Sequence, residues 1–566
     1  MTGSSKPNRA GAPIHVWVMA ALAAGALLML HLRTLYVTQT ASYDTLLYAR
    51  SLYGIAVGEP FNPVYGTHWM AIHANLLLVP LAPLARVVEP ATILAVQQAL
   101  AAGWTVWLVG AGLHDHQAGR GRVVGPTLLV ASSLLLVAAF TFDPRPESIA
   151  VPLGLVVFDR LARQGDWDRW SVLAALLMVM AREEFALVLA GTVVMPGLRP
   201  RGRQLAVMVS GVAGAWFVGY WFGLRPWLDA GFADDRANEA ATALFGWGNG
   251  ETWKYRGAVV LALLTMGGCA LLRRPLWLLA AAPGVLWLLA IDKGGLDALR
   301  YHYAMLALPV LLAGVLHTRS QVRPGWLWWV PSLLQAAVTA LWLLPRAADG
   351  YWITAPPQQQ AIDQAHALLH EIPAADSLAA PWMLAAGEAD RRMILSSETL
   401  IARLRAQLPL SDLPRWALLD ASELRVARVM VGRGYVLRHR TAAMILLEQA
   451  PGATVSADLL VPWEPEDCST PWAEFEDQGV RICRVARDES SGRVHLLVHR
   501  TAAADGERTW TWMARSREVQ SPVSIMDGLV LPSQLPAGAW IEARTDQPWL
   551  TSERPEFVVV YADAVD

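Results

Sequence analysis

The chain is poor in charge. Of its 566 residues only 17% are Asp, Glu, Lys or Arg, against about 25% in an average soluble domain. That shortfall excludes an ordinary soluble globular protein. The apolar residues, 54% of the chain, are gathered into long runs, so a polytopic membrane protein is the expectation. The formal net charge is −2, which leaves no electrostatic case for a nucleic-acid partner. Cysteine is scarce: three residues are too few for a disulfide scaffold or a thiolate metal centre. Cys269 lies within an apolar run. Cys468 and Cys483 are spaced to close a loop of roughly 15 residues, worth about 3 kcal/mol in the chain-entropy treatment. An oxidising compartment would be required, and two unrelated thiols is the equal alternative. No phosphate-binding loop, GxGxxG turn, HExxH, CxxC pair or GxSxG elbow stands out. "HDHQAGRGR" at 114–122 holds two histidines among arginines and reads as a solvated basic loop, not a metal site.

Spanning runs occur near 14–36, 91–113, 123–142, 147–163, 204–223, 257–272, 275–291, 301–317 and 325–345. The first follows a short segment with Lys6 and Arg9. It reads as an uncleaved helix, because no small-residue cleavage site follows it cleanly. The run 170–197 is split by "AREE" at 181–184, which predicts two short helices meeting at an acidic break. The run 68–88 carries Pro80, Pro83 and Arg86 and predicts a re-entrant or juxtamembrane helix. About eleven spans result.

With the N-terminus in the cytoplasm, the basic loops at 114–122, 159–169, 199–203, 273–274 and 317–323 all fall inside. Asp44, "FDPRPE" at 142–147, "REE" at 182–184 and "DKGGLDALRYHY" at 292–303 fall on the opposite face. Counting 68–88 as a full span would destroy this separation. Ionisable groups near a membrane core cost a few kcal/mol each, so a chain that collects them on one face is expected to use them. The alternative is that they are ordinary wetted loop ends.

Beyond Leu344 the chain emerges outside and its texture changes. The expected division is 1–346 as a transmembrane domain, 347–450 as an α/β domain and 451–566 as a β-sandwich. "QQQAIDQAHALLHEIP" at 358–373 reads as an amphipathic helix stopped by Pro373. Alternating stretches at 494–501, 509–516, 539–545 and 556–563, separated by turn residues, read as strands of a sandwich or jelly roll. "TWTW" puts Trp510 and Trp512 on one strand face, a spacing that suits core packing or carbohydrate contact.

The order of motifs carries a resemblance. "YDTLLYARSLYGIAVGEPF" at 43–61, "HANLLLVPLAPLARVV" at 73–88, "FDPRPESIAVP" at 142–152, "AREEFAL" at 181–187 and "RYHYAMLALP" at 300–309 resemble a bacterial and archaeal membrane family, domain of unknown function 2079, across roughly 30–450. An acid at the start of the first outer loop, a second acidic outer loop and an outer C-terminal region also resemble the GT-C superfamily of integral-membrane glycosyltransferases. Two departures stand out. Arg145 occupies the place of an expected His, and Arg182, Glu183 and Glu184 replace a Lys-Glu-Asp triplet.

The resemblance implies an α-helical polytopic GT-C-like fold in the inner (cytoplasmic) membrane. It implies transfer of a sugar from a polyprenyl-phosphate donor to an envelope glycan, lipid or protein acceptor at the outer face. Asp44 is then the candidate general base. Arg182, Arg300 and His302 are candidates to meet the charge of the departing lipid phosphate, with His73 against the donor phosphate. Arg145, Glu183 and Glu184 complete the candidate substrate-binding set. Asp143 and Glu147 are candidates to hold a divalent metal, Mg or Mn. Two rival functions predict different features: a lipid-linked sugar transporter or flippase predicts internal repeats and charges at the midplane. A non-catalytic envelope scaffold predicts that the β domain, not Asp44, is essential.

Overall fold

The N-terminal apolar run forms α1 (Ile14–Tyr36), a helix of 23 residues and therefore about 35 Å long, enough to cross a hydrocarbon core of about 30 Å. Its large side chains Ile14, Leu22 and Met29 point outward while Val16, Ala20 and Leu27 are buried. That is the inverse of a water-soluble helix and suits a lipid-facing one. In this computed structural model the described residues are 12–36, 43–116 (less 65), 124–141, 144–228, 262, 270–290, 302–319, 326–348 and 356–455 (less 392, 406–408, 442 and 452). Towards the C-terminus they are 471–475, 480–487, 494–501, 510–515, 520–525, 534–535, 540–545 and 556–561. The chain divides into two compact units, Met1–Ala355 and Pro356–Asp566.

In the first unit α2 (Tyr43–Val57) leads to a two-residue hairpin, β1 (Phe61–Asn62) with β2 (Thr67–His68). The segment 68–88 then breaks into α3 (Trp69–Ile72), α4 (Leu78–Leu81) and a 3-10 turn, Ala82–Arg86. Four-residue pieces rise only about 6 Å each, so this segment does not cross a membrane as one helix. Arg86 secures it by donating from Nε and Nη2 to the Ala56 carbonyl at 2.8 and 2.6 Å, at the C-terminal end of α2.

Next comes α5 (Pro90–His116), followed by two eight-residue helices, α6 (Val124–Ala131) and α7 (Leu134–Thr141). A 3-10 turn, Pro146–Ile149, opens α8 (Ala150–Gln164). Gly165 ends α8 in the left-handed region (φ 70°), its N–H on the Leu161 carbonyl. There follow α9 (Arg169–Ala181), α10 (Phe185–Ala190), α11 (Pro200–Gly219), a π turn at Tyr220–Leu224, and α12 (Arg225–Leu228).

The expected count of about eleven spans is met in part among the described residues. Among the described residues three helices are long and apolar enough to cross: Ile14–Tyr36, Pro90–His114 and Pro200–Leu228. Several expected spans are shorter because they are interrupted, 123–142 at Ser132–Ser133 and 147–163 by its opening 3-10 turn. The unit's core packs α8, α9 and α10 with the later helices Pro275–Ala290 and Leu308–Arg319 around Phe158, Met178, Phe185 and Leu311. Gly191 permits one close crossing: a Cβ there would lie 2.0 Å from the Ala280 carbonyl oxygen.

The second unit contains a five-stranded mixed sheet in the order β4 (Ile394–Ser396), β3 (Leu378–Ala380), β5 (Trp416–Asp420), β7 (Met444–Gln449), β6 (Tyr435–Arg440). The first three run parallel, and β7 is antiparallel to both β5 and β6. Full burial of β3 and β4 is what a parallel sheet covered on both faces requires.

The remaining strands are β8 (Ala473–Phe475), β9 (Val480–Arg487), β10 (Val494–Arg500), β11 (Trp510–Arg515), β12 (Gln520–Ile525), β13 (Trp540–Thr545) and β14 (Glu556–Tyr561). They pair antiparallel in one sheet, ordered β14-β11-β12-β13-β10-β9-β8. Among the described residues this is a single sheet, not the two facing sheets of a sandwich. Alternation along each strand fixes which residues share a face but not how many sheets the strands make. Leu395 and Leu419 of the first sheet share one buried cluster with Ile482, Leu496 and Ala543 of the second. Gln534 adds a hydrogen bond to the Tyr435 carbonyl at 2.8 Å. Cys483, on β9, is disulfide-bonded. Cys269 and Cys468 lie outside the described residues.

Candidate functional site

Asp44 sits in the first turn of α2, where the helix's free N–H groups favour a carboxylate. Leu46, Leu47, Tyr48 and Leu52 bury the body of that helix and so fix where the acid projects. Across from it, Arg145 lies in extended backbone just before the Pro146–Ile149 turn. Two adjacent glutamines of α5 pin that turn. The Arg145 N–H donates to Gln98 Oε1 at 2.9 Å, and Gln97 Nε2 donates to the Pro146 carbonyl at 2.7 Å. Gln98 Nε2 also donates to the Phe140 carbonyl at 2.9 Å. Anchored this way, Arg145 pairs through Nη2 with Asp44 and through Nη1, at 3.4 Å, with Glu147.

The "AREE" break supplies the other half. Arg182 ends α9 in extended backbone (φ −169°, ψ 141°), and α10 restarts three residues later. Arg182 folds onto Glu184 with Nε and Nη2 at 2.6 and 2.8 Å, and its Nη1 reaches Glu147 Oε1 at 3.1 Å. Glu183 turns instead to the broken 68–88 segment: its oxygens meet His73 Nδ1 at 2.8 Å and the Ala74 N–H at 2.9 Å. Glu184 Oε1 is 3.9 Å from the same His73 nitrogen.

The result is a continuous chain of charge, Asp44–Arg145–Glu147–Arg182–Glu184–His73–Glu183, drawn from four separated segments. Most of it is buried: Asp44 at one end has 35% of its side chain exposed and His73 17%, while Glu147, Glu183 and Glu184 are at 2% or less. Such a set is costly to bury in low dielectric unless every member is paired, which fits the dense ion pairing. Tyr48 is within electrostatic reach of Asp44, Arg145, Glu147 and Arg182. Tyr220, in the π turn, donates to the Met70 carbonyl at 2.6 Å and lies near Glu183 and Arg225. Arg225 stacks 4.3 Å over Trp221.

Seven of the ten candidates from the sequence thus come together. Asp143 and Arg300 lie outside the described residues. His302 opens a 3-10 turn, His302–Leu306. Glu147 Oε1 lies between two guanidinium groups, those of Arg145 at 3.4 Å and Arg182 at 3.1 Å. Sequence reasoning missed Gln97, Gln98, Tyr48, Tyr220 and Arg225. The paired glutamines in an apolar run were the one available signal, since a buried amide must find partners.

A model of a family described as predicted membrane protein (DUF2079) matches residues 34–423, a range that contains every residue of this cluster. None of the curated proteins matches the chain.

Proposed function

Because the chain belongs to the DUF2079 family of predicted membrane proteins, we propose a membrane-bound chemistry for its charge cluster: transfer of a sugar from a polyprenyl-phosphate carrier to an envelope acceptor. The observation that carries this reading is the position of Asp44. It is a solvent-reached carboxylate tied into an otherwise buried network of arginines and acids.

In the proposed step the acceptor hydroxyl oxygen attacks the anomeric carbon, and Asp44 takes the hydroxyl proton. The bond between that carbon and the phosphate oxygen breaks, and the electron pair leaves with the lipid phosphate. Arg145 keeps the Asp44 carboxylate in place, while Glu147 and Arg182 hold Arg145 from behind. Arg300 and His302, from the 300–309 motif, are assigned to the departing phosphate on the strength of the GT-C resemblance. The asymmetry of Lys and Arg between loops supports an inner-membrane protein with a cytoplasmic N-terminus and its charge cluster on the outer face.

The test is transfer by the purified chain in lipid, offered radiolabelled polyprenyl-phosphate sugars and envelope extract. Wild type is expected to transfer, and Asp44→Asn to lose on the order of 10²–10⁴ in rate while keeping its circular dichroism. Transfer that survives in Asp44→Asn moves the base elsewhere. Bound donor with no transfer across the panel overturns the enzyme and favours a carrier-lipid transporter.

A further inference from the structure

We propose that His73, Glu183 and Glu184 form a site for one divalent cation of the Zn²⁺ or Mn²⁺ class. This does not depend on the transferase reading and uses different residues from the Asp44 end of the cluster.

The first support is convergence. One imidazole nitrogen and two carboxylate oxygens, from segments about 110 residues apart, all lie within 4.8 Å of one another. The His73 Nδ1 contacts, 2.8 Å to Glu183 and 3.9 Å to Glu184, bracket the separation of about 3–3.5 Å expected between neighbouring ligands held at about 2.0–2.2 Å from an ion. Small shifts of side chains, without backbone movement, would close them round a cation.

The second support is a fully buried carboxylate turned towards the site. Glu183 is 0% exposed. Its Oε1 meets His73 Nδ1 at 2.8 Å and its Oε2 accepts from the Ala74 N–H at 2.9 Å, while Arg182 and Arg225 act on it electrostatically. The group nearest its outer oxygen is thus an imidazole nitrogen, a ligand atom in its own right.

The surroundings match what a metal site needs beyond its ligands. Arg182 grips Glu184 through two hydrogen bonds and the Ala74 N–H holds the second oxygen of Glu183, so both carboxylates are oriented from outside. Arg182 is itself neutralised by Glu184 and Glu147. The exposed edge of His73 gives an entry path. One imidazole with two carboxylates favours Zn²⁺ or Mn²⁺ over Ca²⁺ or Mg²⁺, which take oxygen-rich sets. On binding, the proton on His73 Nδ1 leaves to solvent and that nitrogen becomes a ligand.

The experiment uses the full chain in lipid nanodiscs, stripped with chelator. Mn²⁺ is titrated by the loss of its free-ion electron paramagnetic resonance signal, and Zn²⁺ by calorimetry. One ion per chain is expected. Its affinity should fall by on the order of 10–100-fold or more in Glu183→Gln and in His73→Ala, and stay unchanged in Glu59→Gln, whose pairing is with Arg50 elsewhere. Should either variant fail to fold, wild type alone decides: bound Mn²⁺ should show ¹⁴N modulation from one imidazole. Absence of stoichiometric binding, binding indifferent to both substitutions, or an ion with oxygen ligands only would each overturn the site.

Discussion

Replacing Arg182 with methionine should be among the most damaging single changes in the membrane unit. Methionine keeps much of the apolar stem but removes every donor. Glu184 then loses both hydrogen bonds, at 2.6 and 2.8 Å, and Glu147 loses the nearer of its two guanidinium contacts, keeping Arg145 at 3.4 Å. Both carboxylates are almost wholly buried, so water cannot take over. Breaking one buried pair costs about 3–5 kcal/mol, and the weakening of a second at Glu147 puts Arg182→Met near the upper end. Removing the partner as well should recover part of that. The double variant Arg182→Met/Glu184→Met deletes the stranded charge on Glu184, and a coupling of about 2–3 kcal/mol is expected between the two sites. Arg182→Lys should fall between, because an ammonium cannot make the two-pronged contact. The assay is unfolding in mixed micelles titrated with dodecyl sulfate, read by helical circular dichroism. A single variant within about 1 kcal/mol of wild type, or a double variant as unstable as the sum of the singles, would refute the account of a buried, mutually dependent charge chain.

Gln98→Leu removes the acceptor of the Arg145 N–H, while the Phe140 carbonyl keeps its contact with His31 Nε2 at 3.2 Å. It should cost about 1–3 kcal/mol and raise amide exchange around residue 145; unchanged exchange would count against the pinning role. Gly191→Ala drives a methyl into the Ala280 carbonyl and should cost about 1–3 kcal/mol, seen as a lower thermal midpoint; a wild-type midpoint would contradict that crossing. Asp168 caps α9 through the Ser171 N–H and pairs with Arg160, so Asp168→Ala should lose about 1–2 kcal/mol. Burial works against its ionised form, but the hydrogen bonds from Arg160 and Ser171 outweigh that and hold its carboxyl below the usual range. The native group is therefore the stronger acid. Its stabilisation is fully present above pH about 4, the unfolded value, and fades as pH falls towards the lower native one. Asp168→Asn should lack that acid-side loss, and equal pH profiles would refute it.

Features encoded by short-range chemistry were legible in the sequence. Three charges in an apolar run had to end a helix, and Arg182 does so. Pro80 and Pro83 had to break 68–88, and the segment is a series of short turns. What was not legible depends on partners far away in the chain. Gln98 reads as filler until Arg145 and Phe140, more than 40 residues on, appear beside it. A π turn at Tyr220–Leu224 leaves no pattern in a run of aromatics. Strand alternation tells in from out for each strand but not how strands join, and among the described residues β8 to β14 pair in one sheet. Hydropathy measures apolar length and is blind to a break at a serine pair, so the run 123–142, read as one span, holds two short helices.

The family match ends at Glu423, just after β5, while β5 depends for its second partner on β7, which starts at Met444. The matched segment therefore stops with one strand edge open. A chain cut at that boundary would present Ala417, Leu418 and Leu419 to any passing backbone, a template for aggregation. The same exposure arises briefly during every round of synthesis. At about 5–20 residues per second, β5 waits roughly one to five seconds after leaving the ribosome before β7 follows. Over that interval the edge is open to other chains, and a helix that covers it early would shorten the exposure.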